Sequence, residues 1–218
     1  MIGENITRIK NVLPSGVKLV AVSKFHPVSA LMDAYSAGQR VFGENRPQEF
    51  ASKVSQMPSD VEWHFIGHLQ TNKLRLVLPY ASLVQSVDSL HLLNAIDRWG
   101  SANNRIINCL LELHLGAEDT KHGLDEVEIR DILCRENDYS NICFRGLMGM
   151  ATNTEDEAVI EADFSRISAL KASLNAEFPA LVSFTELSIG MTGDWPLALR
   201  HSATIIRVGT GIFGPREY

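Results

Sequence analysis

The sequence predicts an α/β protein built as a single (β/α)8 barrel, and two observations support this. Eight short segments rich in β-branched or aromatic residues recur along the chain, each bounded by polar residues or glycine. Helical patterns fill the gaps, so strands and helices alternate from end to end. This alternation over 218 residues matches a barrel near the lower end of its size range. An open doubly wound sheet is the alternative that the same alternation allows.

Several of the strand-like segments are almost continuously apolar, for example KLVAVS, CLLELHL and TIIRV. Parallel strands that helices cover on both faces have this composition. The predicted strands span residues 17–23, 41–43, 63–67, 83–87, 106–115, 143–150, 186–190 and 204–208.

Start and stop signals place the intervening helices. Thr154 and Glu157 match a capping box before the longest helical pattern, and Asp125 is a start signal for another helix. Pro27 suits the first turn of a helix that Gly38 can end. The predicted helices span residues 27–38, 46–56, 71–78, 89–99, 125–135, 155–175 and 194–201.

The composition is that of a globular protein and argues against several function classes. The net charge is -6 without any basic run, which argues against binding to nucleic acid or anionic membranes. No stretch approaches the roughly 18 apolar residues of a membrane span, and the first ten residues lack a signal-peptide core. Cys109, Cys134 and Cys143 form no C-x-x-C pair, as expected of reduced thiols. No linker divides the chain. We therefore expect one cytoplasmic domain over residues 1–218.

Lys24 directly follows the first predicted strand, in VKLVAVSK. The carboxyl ends of barrel strands face the active site, and a lysine charge is costly to desolvate there. Desolvation favours the neutral amine, which is the nucleophile that forms Schiff bases. Position alone leaves this interpretation open beside that of a lysine that has reached solvent at the strand end.

Small polar residues flanked by glycine follow the last two predicted strands. Thr192 lies in GMTG after the seventh strand, and Thr210 lies between Gly209 and Gly211 after the eighth. Barrels commonly bind phosphate at these two loops, where backbone N–H groups point at the anion and glycine permits close approach. The pattern predicts a phosphate cup, with tight turns of small residues as the alternative.

Polar residues also follow the second and third strands. Asn45 ends the segment GEN, His64 lies on the third strand, and His68 lies beyond it. The residues between the two histidines read as strand and turn, so their spacing does not predict a metal-binding helix face. His64 is open to core packing and to cofactor contact. Site and surface interpretations are likewise open for Asp88 and Lys121.

Six segments stand out together: AVSKFHP, FGENRPQE, WHFIGHLQTNK, FRGLMGM, ELSIGMTGDW and IIRVGTGIFG. They closely resemble the successive signatures of the pyridoxal-phosphate homeostasis protein family, which is related to the barrel domain of alanine racemase. The resemblance covers residues 17–214, and its WHFIGHLQTNK and LSIGMTGD segments are the most specific. It implies the alanine racemase N-terminal type of barrel.

The resemblance also implies a cofactor, pyridoxal 5'-phosphate (PLP), and gives roles to particular residues. Lys24 matches the lysine that forms a Schiff base with PLP, and Arg207 matches the arginine that approaches the pyridine nitrogen. Positions of the phosphate cup match Thr192, Gly209 and Thr210. Other positions near the cofactor match Asn45 and His64.

Three segments depart from the family pattern beside these positions. Arg46 and Pro47 replace an aromatic and an aliphatic residue, and His68 stands where proline is common. The segment DTKHG replaces a more usual SKSG. The departures leave the cofactor assignment intact and change residues at the rim of the site.

The family is held to regulate vitamin B6 and amino-acid balance, without a catalytic activity general to its members. The resemblance therefore implies a protein that stores or delivers PLP, with PLP-dependent apo-enzymes as further partners. A racemase-like enzyme is the first alternative, but racemisation needs a second acid or base, and none of Tyr35, Tyr80, Tyr139 and Tyr218 is an obvious candidate for it. A barrel enzyme that uses a phosphorylated metabolite without cofactor is the second.

Overall fold

The computed structural model describes residues 1–116 and 123–215, and its centre is a closed barrel of eight parallel strands. Each strand pairs with the next along the chain, and β8 returns to β1 with Leu19 beside Ile206. Closure confirms the (β/α)8 prediction and excludes the open sheet. The strands are β1 (Lys18–Val22), β2 (Val41–Glu44), β3 (Glu62–Phe65), β4 (Leu83–Val87), β5 (Ile107–Leu113), β6 (Ile142–Gly149), β7 (Glu186–Ser188) and β8 (Ile205–Val208).

Helices surround the barrel, and each predicted helical segment contains one. Residues 71–78 form a 3-10 turn, Thr71–Lys73, followed by one short helix. The helices are α1 (Ile2–Lys10), α2 (Val28–Ser36), α3 (Pro47–Val54), α4 (Leu74–Val77), α5 (Leu90–Ala102), α6 (Glu126–Cys134), α7 (Glu157–Glu177), α8 (Trp195–Arg200) and α9 (Thr210–Phe213). The prediction of one domain over 1–218 stays a prediction, because residues 117–122 and 216–218 lie outside the described ranges.

Two helices, α1 and α9, were not predicted. Only Ile6 and Ile9 of α1 are buried, and Gly3 and Asn5 weaken its helical pattern. The helix packs against α2 and α9, and the Asn5 amide donates a hydrogen bond to the Ile212 carbonyl at 3.0 Å. Long-range packing therefore supplies what the local pattern lacks.

The helix-end signals were right at α6 and α2 and wrong at α7. Asp125 accepts hydrogen bonds from the N–H groups of Val127 and Glu128, both at 2.8 Å, and Gly38 adopts a positive φ after α2. At α7 the cap is Asp156, which accepts from the Ala158 N–H at 2.9 Å. Thr154 instead accepts from the Asp156 N–H, because the aspartate lies directly before the helix.

The core has two parts, one between barrel and helices and one inside the barrel. The larger part joins helix residues such as Phe50 and Phe164 to outward-facing strand residues. The inner part contains Val20, Leu83, Leu110, Met148 and Ile205. Because every strand runs in the same direction, residues that follow the strands meet at one end of the barrel. Within the described ranges, none of the helices is both long and apolar enough to cross a membrane.

Candidate cofactor site

A cavity of about 410 Å³ opens at the carboxyl ends of the strands. Its volume lies within the range of small-molecule sites. Six of the seven predicted site residues line it: Lys24, Asn45, Thr192, Arg207, Gly209 and Thr210. The cavity thus brings together six predicted residues that lie far apart along the chain.

Lys24 is half-buried and stands two residues beyond the end of β1. The strand ends at Val22, and the intervening Ser23 is completely buried. The fixed strand end thus delivers a primary amine to the wall of the cavity. A neutral amine in this position can attack a carbonyl group of a ligand.

The loops after β7 and β8 contact each other at the cavity. The Gly209 N–H donates a hydrogen bond to Thr192 Oγ1 at 3.2 Å. A Cβ atom at Gly211 would lie 2.9 Å from Val208 Cγ1 and 3.3 Å from Thr192 Cγ2, so a larger residue there would displace one of these side chains. Helix α9 begins at Thr210, and the first N–H groups of a helix have no acceptor within it. Hydroxyl and backbone donors of this kind suit a phosphate group.

Arg207 forms part of the cavity lining and is only 4% exposed. Its Nη1 donates to the carbonyl of Ser188 at 2.8 Å and to the Ser188 hydroxyl at 2.6 Å. Its Nη2 donates to the Gly149 carbonyl at 2.9 Å. Burial lowers the pKa of Arg207 to about 10, so the guanidinium remains charged near neutral pH. These bonds fix a permanent cation in one orientation.

His64 is absent from the cavity lining and is completely buried inside the barrel. Its Nδ1 lies 2.7 Å from Gln85 Nε2, and its Nε2 lies 2.9 Å from Glu62 Oε1. Because Gln85 Oε1 accepts from the Ser188 hydroxyl at 2.6 Å, Gln85 Nε2 must be the donor to His64. His64 therefore carries its proton on Nε2 and donates it to Glu62. Burial lowers the pKa of His64, which favours this neutral form.

These bonds make a continuous polar chain through the barrel, from Arg207 through Ser188, Gln85 and His64 to Glu62. Lys18 Nζ joins it by donating to Glu62 Oε1 at 2.8 Å. The hydrogen bond from His64 lowers the pKa of Glu62 to about 2, and Lys18 acts in the same direction. Each link donates in the same direction, away from the cation at the cavity and towards the carboxylate. His64 thus does not contact the cavity itself and is connected to it through Gln85, Ser188 and Arg207.

Asn45 holds an acceptor that the described residues leave unused. Its Oδ1 is buried and has no hydrogen-bond partner among them. A buried polar atom of this kind is costly without a donor, and a ligand in the cavity can supply one. Gly67 makes room beside it, because a Cβ there would lie 2.5 Å from Asn45 Cβ. The amine, the phosphate-type donors, the cation and this acceptor together fit PLP.

Sequence reasoning missed two ionisable residues of the cavity, His26 and Glu112. Glu112 is 5% exposed, and burial raises its pKa to about 7, with the neighbouring Asp88 acting in the same direction. Glu112 lies within the apolar segment CLLELHL, where a lone carboxylate was the available signal. His68 also lines the cavity, and its Nδ1 lies 2.6 Å from Asp88 Oδ2.

The departures from the family pattern have different outcomes. The Arg46 guanidinium lies over the Phe25 ring at 4.5 Å, and Pro47 is the first residue of α3. Lys121 and most of DTKHG lie outside the described residues. Within the described ranges no group of three His, Cys, Asp or Glu residues could hold a metal ion.

Comparisons with known proteins agree with this geometry. The sequence profile of the alanine racemase N-terminal domain matches residues 1–217. Proteins named pyridoxal phosphate homeostasis protein from Vibrio alginolyticus and Haemophilus influenzae are 35% and 37% identical. The matches cover 94% and 93% of this chain and 89% and 86% of theirs. The chain belongs to the pyridoxal phosphate homeostasis protein family. The family name describes homeostasis of a cofactor and not a reaction.

Solved structures are also similar to this chain. PipY of Synechococcus elongatus PCC7942 is 38% identical, and its structures without PLP and with PLP bound give TM-scores of 0.93 and 0.90. Both matches cover 98% of this chain and 100% of PipY. Alanine racemase from E. faecalis gives a TM-score of 0.74 at 15% identity, which shows a shared fold alone. This chain covers 57% of that racemase.

Proposed function

We propose that this protein holds PLP as a Schiff base on Lys24 and stores or delivers the cofactor in the cytoplasm. One observation carries the proposal: Lys24, Thr192, Gly209 and Thr210 line a single cavity. The PLP-bound structure of PipY and the names of the relatives support the choice of ligand.

Different residues of the cavity would hold different parts of this ligand. PLP supplies an aldehyde that the neutral Lys24 amine can attack, with loss of water. The Thr192 hydroxyl and the backbone at Gly209 and Thr210 would hold the phosphate. Arg207, which its acceptors fix in place, would face the pyridine nitrogen. A charged guanidinium there keeps that nitrogen unprotonated, because arginine does not give up its proton.

The proposal is tested by trapping the bond. Purified protein is incubated with PLP, reduced with borohydride and digested, and we expect the mass of a pyridoxyl group on the peptide that contains Lys24. Lys24→Ala should abolish both the label and the visible absorbance. Lys10→Ala is the control, because Lys10 is an exposed lysine of α1 that donates to the Gly38 carbonyl. Label on another lysine, or none, would refute the assignment.

We further propose that the protein binds and releases PLP, with PLP-dependent apo-enzymes as recipients, and does not turn over amino acids. The assay follows α-hydrogen exchange and chirality of several amino acids in deuterated water, with Lys24→Ala as the blank. Turnover of about 1 per second or faster, the ordinary enzyme range, would overturn this part of the proposal.

A further inference from the structure

A largely buried cluster of three charged residues (Glu44, Glu49 and Lys53), the Lys53 cluster, contacts the chain on both sides of Lys24. Lys53 is 5% exposed, and its Nζ donates to Glu44 Oε1 at 2.6 Å and to Glu49 Oε1 at 2.7 Å. Glu44 ends β2 and is fully buried, whereas Glu49 and Lys53 lie one turn apart on α3. The cluster thus joins the second strand and the helix that follows it to the loop after β1.

On one side of Lys24 the cluster holds Ser23. Lys53 Nζ donates to the Ser23 carbonyl at 2.7 Å, and the Ser23 hydroxyl donates to Glu44 Oε1 at 2.6 Å. The Ser23 N–H donates to the Gly43 carbonyl at 3.0 Å. All of these polar groups of Ser23 are therefore bound to β2 or to the cluster.

On the other side the cluster holds Phe25. The Phe25 N–H donates to Glu49 Oε1 at 2.7 Å, the same oxygen that accepts from Lys53. Phe25 has a φ of 68°, in the left-handed region that a bulky residue seldom adopts. Such a conformation persists where the surroundings impose it. The hydrogen bond to Glu49 lies at the residue that carries this conformation.

Stability of the fold does not account for the cluster. Burial of the Lys53 and Glu44 charges in the interior is costly, and apolar residues of the same volume often serve the fold as well. Burial raises the pKa of Glu44, which shows that cost, although Lys53 opposes the rise. What apolar residues could not supply is the set of bonds to the backbone of residues 23 and 25.

We propose that Lys53, through Glu44 and Glu49, is the positioning residue of Lys24: it fixes the peptide units on either side so that the amine faces the cavity. The inference rests on the proposed Schiff base at Lys24. Because the cluster lies at the β1 end of the site, it should govern capture of the aldehyde and not recognition of the phosphate. Loss of the cluster should therefore separate covalent from non-covalent binding.

The test compares PLP with 4'-deoxypyridoxine 5'-phosphate, which keeps the ring and phosphate but has no aldehyde. The first variant is Glu49→Ala, because Glu49 is partly exposed on α3 and alanine is a good helix former. We expect the rate of Schiff-base formation, followed by absorbance, to fall on the order of tenfold to a hundredfold. Affinity for the deoxy analogue should change by less than about twofold, far below the tenfold that 1.4 kcal/mol represents.

Matched variants separate positioning from a general loss of structure. Glu49→Gln keeps an oxygen acceptor for the Phe25 N–H, so it should restore most of the capture rate. Glu161→Ala is the control, since Glu161 pairs with Arg200 at 3.1 Å on exposed helix faces and should leave both ligands unaffected. Lys53→Met removes the central cation and should lower the capture rate further, and Glu49→Ala still decides the matter if that variant does not fold.

The outcomes distinguish this inference from the proposed function. Equal capture rates in wild type and Glu49→Ala, with Lys24 labelled in both, would refute the positioning role and leave the Schiff base in place. Equal losses for PLP and the deoxy analogue would also refute it. Failure of the wild type to label Lys24 would instead refute the proposed function.

Discussion

Ser188→Ala tests the polar chain at its most sensitive link. The Ser188 hydroxyl is completely buried, accepts from Arg207 Nη1 at 2.6 Å and donates to Gln85 Oε1 at 2.6 Å. Alanine fits the space but can do neither. The substitution therefore removes two hydrogen bonds at once and leaves both partners inside the barrel.

The magnitude follows from what each partner retains. Arg207 Nη1 keeps the Ser188 carbonyl at 2.8 Å, so it loses only part of its bonding. Gln85 Oε1 loses its hydroxyl donor, and an unsatisfied buried acceptor costs about 1–3 kcal/mol. With the weakened charged bond added, we expect a loss of about 3 kcal/mol in the free energy of unfolding. In a chain of this size each kcal/mol lowers Tm by about 2–4 °C.

Urea unfolding measures the loss as a shift of the midpoint at constant slope. Ser86→Ala is the matched control, because Ser86 is a buried serine of β4 whose hydroxyl donates a single bond to the Gly67 carbonyl. That variant should lose about 1 kcal/mol, the usual worth of one neutral hydrogen bond. If Ser188→Ala lowers the free energy of unfolding no more than Ser86→Ala does, the polar chain through the barrel does not hold Arg207 in place. A double-mutant cycle of Ser188→Ala and Gln85→Leu should show an interaction energy of about 0.5 kcal/mol or more between the two residues.

Two further predictions concern the cavity. Thr192→Ala removes a hydroxyl donor to a charged group, so PLP affinity should fall about tenfold or more while unphosphorylated pyridoxal loses much less; Thr192→Ser should restore the difference, and equal losses for both ligands would contradict phosphate contact. Glu112→Gln tests the raised pKa of Glu112, which is about 7 against an ordinary 4.5. The native state binds this proton more tightly than the unfolded chain does, so wild-type stability should fall by about 3 kcal/mol relative to the variant as pH rises from 4.5 to 7. Urea unfolding across that range measures it, and a pH-independent difference between the two proteins would show that Glu112 titrates normally.

The sequence was sufficient for the barrel because each strand is a local pattern. Continuous apolar runs such as CLLELHL identify strands buried on both faces without knowledge of their neighbours. Helix α1 was missed because it has few apolar positions, and these are buried by packing against α2 and α9, which the local sequence does not show. The start of α7 was misplaced because Thr154 and Asp156 are both good caps, and the local pattern does not show which of them lies directly before the helix.

Candidate site residues that follow a strand could be predicted from the barrel topology. Those within a strand could not, because their position depends on where the side chain points. Lys24, Thr192 and Thr210 follow strands, and a parallel barrel brings all strand ends to one rim. His64 and Glu112 lie within strands, so the pattern cannot say how deep in the barrel each side chain ends. The structure places the carboxylate of Glu112 at the cavity and the His64 ring below it, between Gln85 and Glu62.

The same geometry bears on the racemase alternative, which needs an acid or base on each face of a planar carbanion. None of the described tyrosines lines the cavity: Tyr35 donates to Asp60 at 2.7 Å, Tyr80 is exposed ahead of β4, and Tyr139 packs edge-on against Phe144. Tyr218 lies outside the described ranges. His64 is equally unsuited, because both of its ring nitrogens are engaged inside the barrel.

Of the described residues that remain, Glu112 is the carboxyl group at the cavity whose pKa lies near neutral. A group with this pKa exchanges protons readily near pH 7, which is the property that a general acid or base requires. Any trace exchange of the α-hydrogen of an amino acid bound at Lys24 should therefore depend on a titratable residue that lines the cavity, such as Glu112, His26 or His68, and not on His64. In the proposed complex Arg207 would work against such exchange, since a fixed cation at the ring nitrogen would make the ring a poorer acceptor of electrons. The cavity is thus better suited to holding an aldehyde than to stabilising the carbanion that racemisation demands.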